Sequence, residues 1–275
     1  MIYETRGLID YHETGAGPTI VLVPGSCSTG AAWRPVMAHW QDEFRCVTTS
    51  LLGYGATAER RTGDETDIAY ESEIIEAVIR RAAAGPVHLV GHSFGGLAAL
   101  AVALRGRVRL LSLTIAEAPA MEILRETGET QHYDAFRQMS GAYCCAFRRG
   151  DANAIARMID FYGGPGTFAG WPQRVRDYAL ETTPANLLDW KSAFGFRLTP
   201  ALLATVTTPT LVVWGEASHP AVRRANHLLG RYIPNAERAT IGGASHFMIA
   251  THARQFADLI ARHVAHSSRS LATAR

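Results

Sequence analysis

The chain has almost no net charge. Its 27 basic and 25 acidic residues leave +2 over 275 residues, so electrostatics make no case for a nucleic-acid partner or an anionic membrane. No apolar run approaches the roughly 18 residues of a membrane-spanning helix. The start, Met1 to Arg6, lacks the basic-then-apolar layout of a secretory leader. Cysteine is scarce too. Cys27, Cys46, Cys144 and Cys145 form no spaced framework, and the adjacent pair would close only a strained disulfide. No Cys/His spacing suits zinc, and there is no internal repeat or low-complexity stretch. These absences lead to the expectation of a soluble, reduced, cytoplasmic protein with no metal and no other cofactor.

What the chain does have is apolar residues, 47% of the total, in short blocks at alternating strand and helix periods. Leu8–Glu13 reads as a first strand, closed by a Gly/Pro turn. Thr19–Val23 is a continuous apolar run, as a strand buried on both faces should be. A helix is expected over Ala31–Trp40, a strand at Cys46–Thr49, and a helix over Ile68–Ala84 with Asp67 as its cap. Strands follow at Pro86–Val90 and Val108–Ile115. From about 120 to 206 the rhythm stops, giving way to Gly-Pro turns, helix-like segments and many aromatics. It resumes with a strand at Pro209–Trp214, a helix near Ala221–Leu229, a strand near Ala236–Ile241 and a helix over Ala250–Val264. This pattern predicts an α/β protein with a doubly wound, mostly parallel sheet and one helical insertion. The expected division is a core in two parts, 1–118 and 207–265, an insertion at 119–206, and a polar, frayed tail at 266–275.

The most informative stretch is Val90-Gly91-His92-Ser93-Phe94-Gly95-Gly96. An apolar strand precedes it, and the helix-forming run from Leu97 to Leu104 follows it. Strand, Gly-x-Ser-x-Gly, helix is the context of a nucleophile elbow. The turn must be tight for the Ser93 hydroxyl to stand clear, and a Cβ at Gly91 or Gly95 would strike the neighbouring strand and helix. The start of the helix offers free N–H groups to an oxyanion.

These residues resemble the α/β-hydrolase fold family over nearly all of the core. The elbow at Ser93, the loop Pro24–Gly30 after the first buried strand, and Gly242-Gly243-Ala244-Ser245-His246 before the last helix carry the resemblance. It implies that the 119–206 insertion is a cap, or lid. Two departures stand out: Pro24-Gly25 where His-Gly is common, and Ser50-Leu51-Leu52-Gly53-Tyr54-Gly55 where Asp-x-x-Gly-x-Gly is common. Neither removes a backbone N–H from the oxyanion loop.

A serine hydroxyl needs a base, and the resemblance implies His246, placed between a strand and the last helix. His92 and His88 read as structural, and His219 and His252 as surface residues. An oxyanion hole is expected from the backbone N–H groups of Phe94 and Ser26, with Cys27 as the next choice. Cys27 could also be an exposed thiol near the pocket. The acid is the unusual part. The family's usual Asp position, three residues after the Gly that ends Pro209–Trp214, is Ser218 here, and a hydroxyl cannot stabilise an imidazolium. Glu117 ends the strand after the elbow unit, and ends of neighbouring parallel strands share one rim. Some family members, including fungal zearalenone lactonases and haloalkane dehalogenases, carry their acid at this strand end. The lactonase-like members also resemble this chain in Val-Pro at the oxyanion loop and Glu-x-Pro after the strand. Glu117 is therefore the expected acid, and Glu216 its competitor.

The insertion's aromatics suggest an apolar roof over Ser93, with Trp33, Tyr54, Met121, Trp171, Trp190 and Phe247 as candidate lining. No basic cluster in the insertion favours a strongly anionic substrate. The expectation is a serine hydrolase acting on a small to medium apolar ester or lactone, its partner a small molecule and its oligomeric state open, a homodimer being one option. Two other readings compete: a cofactor-free oxygenase or C–C bond hydrolase using the same residues, and a non-catalytic ligand receptor on this fold.

Overall fold

A computed structural model describes residues 2–4, 7–83 and 85–273. Met1, Thr5, Arg6, Ala84, Ala274 and Arg275, which the readings of the N-terminus, the helix ending at Ala84 and the tail touch, lie outside the described residues. Strands β1 (Ile2–Glu4) and β2 (Gly7–Ile9) form a small antiparallel pair. The main sheet begins with β3 (Tyr11–Thr14) and β4 (Thr19–Val23). A 3₁₀ turn at Gly30–Trp33 and α1 (Arg34–Met37) lead to β5 (Arg45–Thr49), α2 (Ala69–Ala82), β6 (Val87–His92), α3 (Phe94–Arg105) and β7 (Leu110–Ala116). Helices alone follow among the described residues: α4 (Met121–Glu126), α5 (Thr130–Arg148), α6 (Ala156–Gly163), α7 (Thr167–Gly170), α8 (Gln173–Glu181), α9 (Thr183–Gly195) and α10 (Pro200–Leu203). Then come β8 (Thr210–Gly215), α11 (Pro220–Tyr232), β9 (Glu237–Ile241), α12 (Met248–Thr251) and α13 (Ala253–Thr273).

The seven-stranded sheet runs β3-β5-β4-β6-β7-β8-β9. Only its edge strand β3 is antiparallel to its neighbour. The unbroken apolar run of β4 splits between the two faces: Val21 and Val23 belong to the core on the side of α2 and α3, Ile20 and Leu22 to the core on the side of α1 and α13. Alternation at period two, with both faces covered, is why this strand shows no polar residue after Thr19.

Three expected elements differ. Leu8–Glu13 is not one strand, because Asp10 pins a bend: its N–H donates to Thr57 Oγ1 at 3.0 Å and its carboxylate accepts from Ser50 Oγ at 2.7 Å. The chain thus changes sheets between β2 and β3. The helix over Ala31–Trp40 breaks into the 3₁₀ turn and α1, where Pro35 sits in the first turn and cannot donate to the turn before it. The tail read as frayed continues α13, with Ser267 buried and its hydroxyl donating to His263 O at 2.9 Å.

Candidate active site

β6 ends at His92, and Ser93 follows with φ +54° and ψ −128°, a conformation that side chains rarely adopt. Its backbone is held from both sides. Ser93 N–H donates to Ala116 O at 2.8 Å, and its carbonyl accepts from Gly96 N–H at 2.8 Å, opening α3. The flanking glycines are required by close approach. A Cβ on Gly91 would lie 2.3 Å from Gly95 O, and one on Gly95 would lie 2.2 Å from Pro24 O. Ser93 is thereby clamped between β4, β6 and α3.

The sheet register brings the remaining groups to this rim. Glu117, also at positive φ (+56°), follows the last residue of β7, and its N–H donates to Val213 O on β8 at 3.0 Å. From there its side chain meets His246. Glu117 Oε2 lies 3.0 Å from His246 Nδ1, and His246 Nε2 lies 3.0 Å from Ser93 Oγ. The other carboxylate oxygen, Oε1, accepts from Gly215 N–H and from the Ser218 hydroxyl, each at 2.7 Å. Glu117 is fully buried. Ser218 therefore serves the carboxylate rather than the imidazole. Glu216 stands elsewhere: it is exposed and accepts from Gly243 N–H at 3.1 Å.

Ser93 and His246 line a cavity of about 1220 Å³, ample for a small-molecule substrate. Trp171, Trp190 and Phe247 line it as expected from the sequence, and Ser26 and Phe94 border it beside Ser93. Trp33, Tyr54 and Met121 do not line it; each is fully buried. Trp33 lies on the opposite face of the sheet, stacked on Phe256 of α13 with centroids 6.1 Å apart. Tyr54 is drawn away by its hydroxyl, which donates to Asp189 Oδ2 at 2.6 Å. Met121 starts α4 and packs into the main core. Tyr162 lies closer to the site than any of these. Its ring stacks on that of His246, centroids 4.0 Å apart. A phenol face there can accept the charge of an imidazolium. The cavity also holds Arg34 and Arg174, offset by Asp177 and Glu181.

Comparison with known proteins agrees with this fold. The model of the alpha/beta hydrolase family matches residues 20–259. The chain belongs to the alpha/beta hydrolase family. A 2-(acetamidomethylene)succinate hydrolase of Mesorhizobium japonicum is 26% identical over 88% of this chain and 86% of its own. A pimeloyl-[acyl-carrier protein] methyl ester esterase of Aeromonas salmonicida is 24% identical over 92% of this chain and 97% of its own. Among solved structures, a thermophilic esterase from Thermogutta terrifontis superposes with a TM-score of 0.74, at 22% identity, covering 96% of each chain. The protein is thus an alpha/beta hydrolase enzyme. No helix among the described residues is long and apolar enough to cross a membrane.

In this alpha/beta hydrolase a second polar cluster borders the cavity, and sequence reasoning misses it. Asp189 of α9 is 2% exposed. Its Oδ2 accepts from Ser26 Oγ at 2.5 Å and from Tyr54, while Oδ1 accepts from Arg61 at 2.6 Å. Arg61 also pairs with Glu59 at 2.7 Å and with fully buried Glu71 at 3.1 Å. One guanidinium thus faces three carboxylates. Burial pushes the Glu71 carboxyl up to about 8, and burial likewise raises that of Asp189. The run Glu59-Arg60-Arg61 offers no sequence sign of it, because Asp189 lies 128 residues away. Cys27 lines the cavity beside Asp189, and burial first, then that carboxylate, push its thiol up to about 12. A thiol held protonated in this way is a poor nucleophile.

The other histidines hold structure. His92 Nε2 lies 2.8 Å from His246 O, and burial followed by the neighbouring His246 depresses it to about 3. It therefore stays neutral and donates to that carbonyl. His88 meets Ser112 Oγ at 2.8 Å but leaves Nε2 unpartnered, so it is only half satisfied. His219, expected on the surface, is half-buried, stacked on Phe161 and capping α11 by accepting from Ala221 N–H. His252 is also half-buried, with Thr251 Oγ1 2.9 Å from its Nδ1.

Proposed function

We propose that this enzyme is a serine hydrolase that cleaves a small to medium apolar ester or lactone through an acyl-enzyme on Ser93. One observation carries the reading: an unbroken chain from Ser93 Oγ through both nitrogens of His246 to Glu117, each link 3.0 Å, at the wall of a cavity. His246 takes the hydroxyl proton as Ser93 attacks the carbonyl. Glu117 holds Nδ1–H and balances the imidazolium, with Ser218 and Gly215 keeping the carboxylate in place. The N–H groups of Phe94, which opens α3, and of Ser26 receive the oxyanion. The tetrahedral intermediate collapses, and His246 returns the proton to the departing alcohol. Water then repeats the sequence on the acyl-enzyme and releases the acid. The helices α4 to α10 act as the cap, with Trp171, Trp190 and Tyr162 as its roof over the reacting carbonyl. The apolar majority of that lining and its balanced charge support an uncharged substrate.

The test combines turnover with trapping. The enzyme should hydrolyse members of an ester and lactone panel, and a fluorophosphonate should add one adduct at Ser93 by intact mass. Ser93→Ala should fold normally, take no adduct and lose on the order of 10³–10⁶ in kcat. Ester turnover that survives in folded Ser93→Ala sinks the proposal.

A further inference from the structure

Helix α9 turns Asn186, Asp189, Trp190 and Ala193 toward the cavity, the i, i+3, i+4, i+7 spacing of one helix face. Trp190 and Ala193 extend the apolar wall. Asn186 and Asp189 interrupt it, and they are only 1% and 2% exposed. The carboxylate of Asp189 is already engaged by Ser26, Tyr54 and Arg61. Asn186 is different. Its backbone N–H is settled on Thr182 O at 3.1 Å, but its side-chain Oδ1 is buried without a hydrogen-bond partner. A buried amide oxygen left so is destabilising, and no hydrogen bond within α9 accounts for an amide at this position. Asn186 is one of the residues lining the space a substrate fills, one helical turn before Asp189, which holds Ser26 of the Pro24–Gly30 loop.

We propose that Asn186, backed by Asp189, forms a polar subsite that receives a neutral hydrogen-bond donor of the substrate, a hydroxyl or an amide N–H, near the reacting carbonyl. The surroundings select the class. A substrate anion placed at Asn186 would meet the Asp189 carboxylate one turn along α9 and be repelled. An ammonium would be stripped of water to meet one amide oxygen, with the Arg61 guanidinium behind it. A neutral donor satisfies Oδ1 at no such cost. Because an asparagine amide can turn by half a rotation, the test separates donors from acceptors.

This inference rests on the ester or lactone reading, and its test is built to fail separately. Matched phenyl esters carry hydroxyl, methoxy or methyl at one carbon of the acyl chain, and a second series carries them on the alcohol. In one series the parent enzyme should prefer hydroxyl over methyl by about 10- to 100-fold in kcat/KM, with methoxy close to methyl. In Asn186→Leu the ratio should collapse toward one, and Asn186→Ala provides the same measurement if the leucine is not accommodated. The same ligands, titrated calorimetrically into Ser93→Ala with and without Asn186→Ala, report binding apart from turnover. Binding that depends on both the hydroxyl and Asn186, without hydrolysis of any ester, would sink the ester reading and keep the subsite. Hydrolysis with no hydroxyl preference in either series, or a preference unchanged in both Asn186 variants, overturns the subsite.

Discussion

Glu117 and Asp189 are buried carboxylates at one site with closely similar surroundings. Each accepts from a serine hydroxyl, Ser218 or Ser26, and each takes another neutral donor, Gly215 N–H or Tyr54 OH. They differ in one partner. Glu117 faces His246, whose charge can come and go; Asp189 faces Arg61, whose charge is permanent. A carboxylate beside an imidazole can respond to a proton arriving, whereas one locked to a guanidinium fixes the chain. The first arrangement suits catalysis. The second ties the oxyanion loop, through Ser26, to α9 on the far side of the cavity. Each serine is what keeps its carboxylate from turning away.

The largest contrast should come from neutralising the first carboxylate. Glu117→Gln preserves shape but removes the charge behind His246, and kcat on a simple ester should fall by about 10²–10⁴. Because a glutamine can still accept from Ser218 and Gly215, the unfolding midpoint should move little. Glu216→Gln, at an exposed carboxylate that accepts from Gly243 N–H, should leave kcat near that of the parent. If Glu117→Gln keeps full kcat, Glu117 is a structural carboxylate like Asp189 and the contrast dissolves.

The second carboxylate should answer in the opposite way. Arg61→Met strips the cation from Glu59 and Asp189, leaving the buried Asp189 carboxylate uncompensated beside a Glu71 that holds its proton. Denaturant unfolding should show a loss of about 3–5 kcal/mol, smaller at acid pH where Asp189 takes up a proton. Any fall in kcat should be modest beside that of Glu117→Gln, since no group that moves a proton is touched. A variant as stable as the parent would mean that the Asp189 carboxylate needs no cation.

The two clusters were unequally legible in the sequence for a physical reason. The places of Ser93 and Glu117 on the sheet rim follow from strand ends, marked locally by glycine and by the end of an apolar run, while His246 is singled out by the resemblance to the family. Parallel topology then places those ends together without any knowledge of side-chain packing. The Arg61–Asp189 pair joins a loop to a helix 128 residues on, and nothing at either position announces the other. The lining was legible only in part for a similar reason. Trp171 and Trp190 fall in the helical stretch above the rim, but the direction of Trp33 and Tyr54 is set by partners, Phe256 and Asp189, that sequence periodicity does not name. In the sequence Tyr162 is one aromatic among many, and only the stacking of its ring on His246 sets it apart.

The smallest effect, and the finest probe of the Asp189 cluster, is the slope of stability with pH. His88 and His92 are held neutral by burial, depressed from 6.5 to about 4 and about 3. The unfolded chain binds their protons first, so stability rises with pH and this contribution is complete above about 6.5. Glu71 has the opposite sign. Its carboxyl is raised from 4.5 to about 8, so the folded chain keeps a proton that the unfolded chain gives up. That contribution is fully present below 4.5 and is lost as pH climbs toward about 8. Below 6.5 the two trends oppose each other; between 6.5 and 8 the fall due to Glu71 is uncovered. Unfolding midpoints measured in that upper window should decline in the parent. In Glu71→Gln the decline should flatten, because a neutral neighbour leaves the whole of the Arg61 charge to Asp189 and lowers its proton affinity as well. Equal slopes in parent and variant would mean that Glu71 is ionised in the fold, and that Arg61 holds three charges rather than sharing one proton among them.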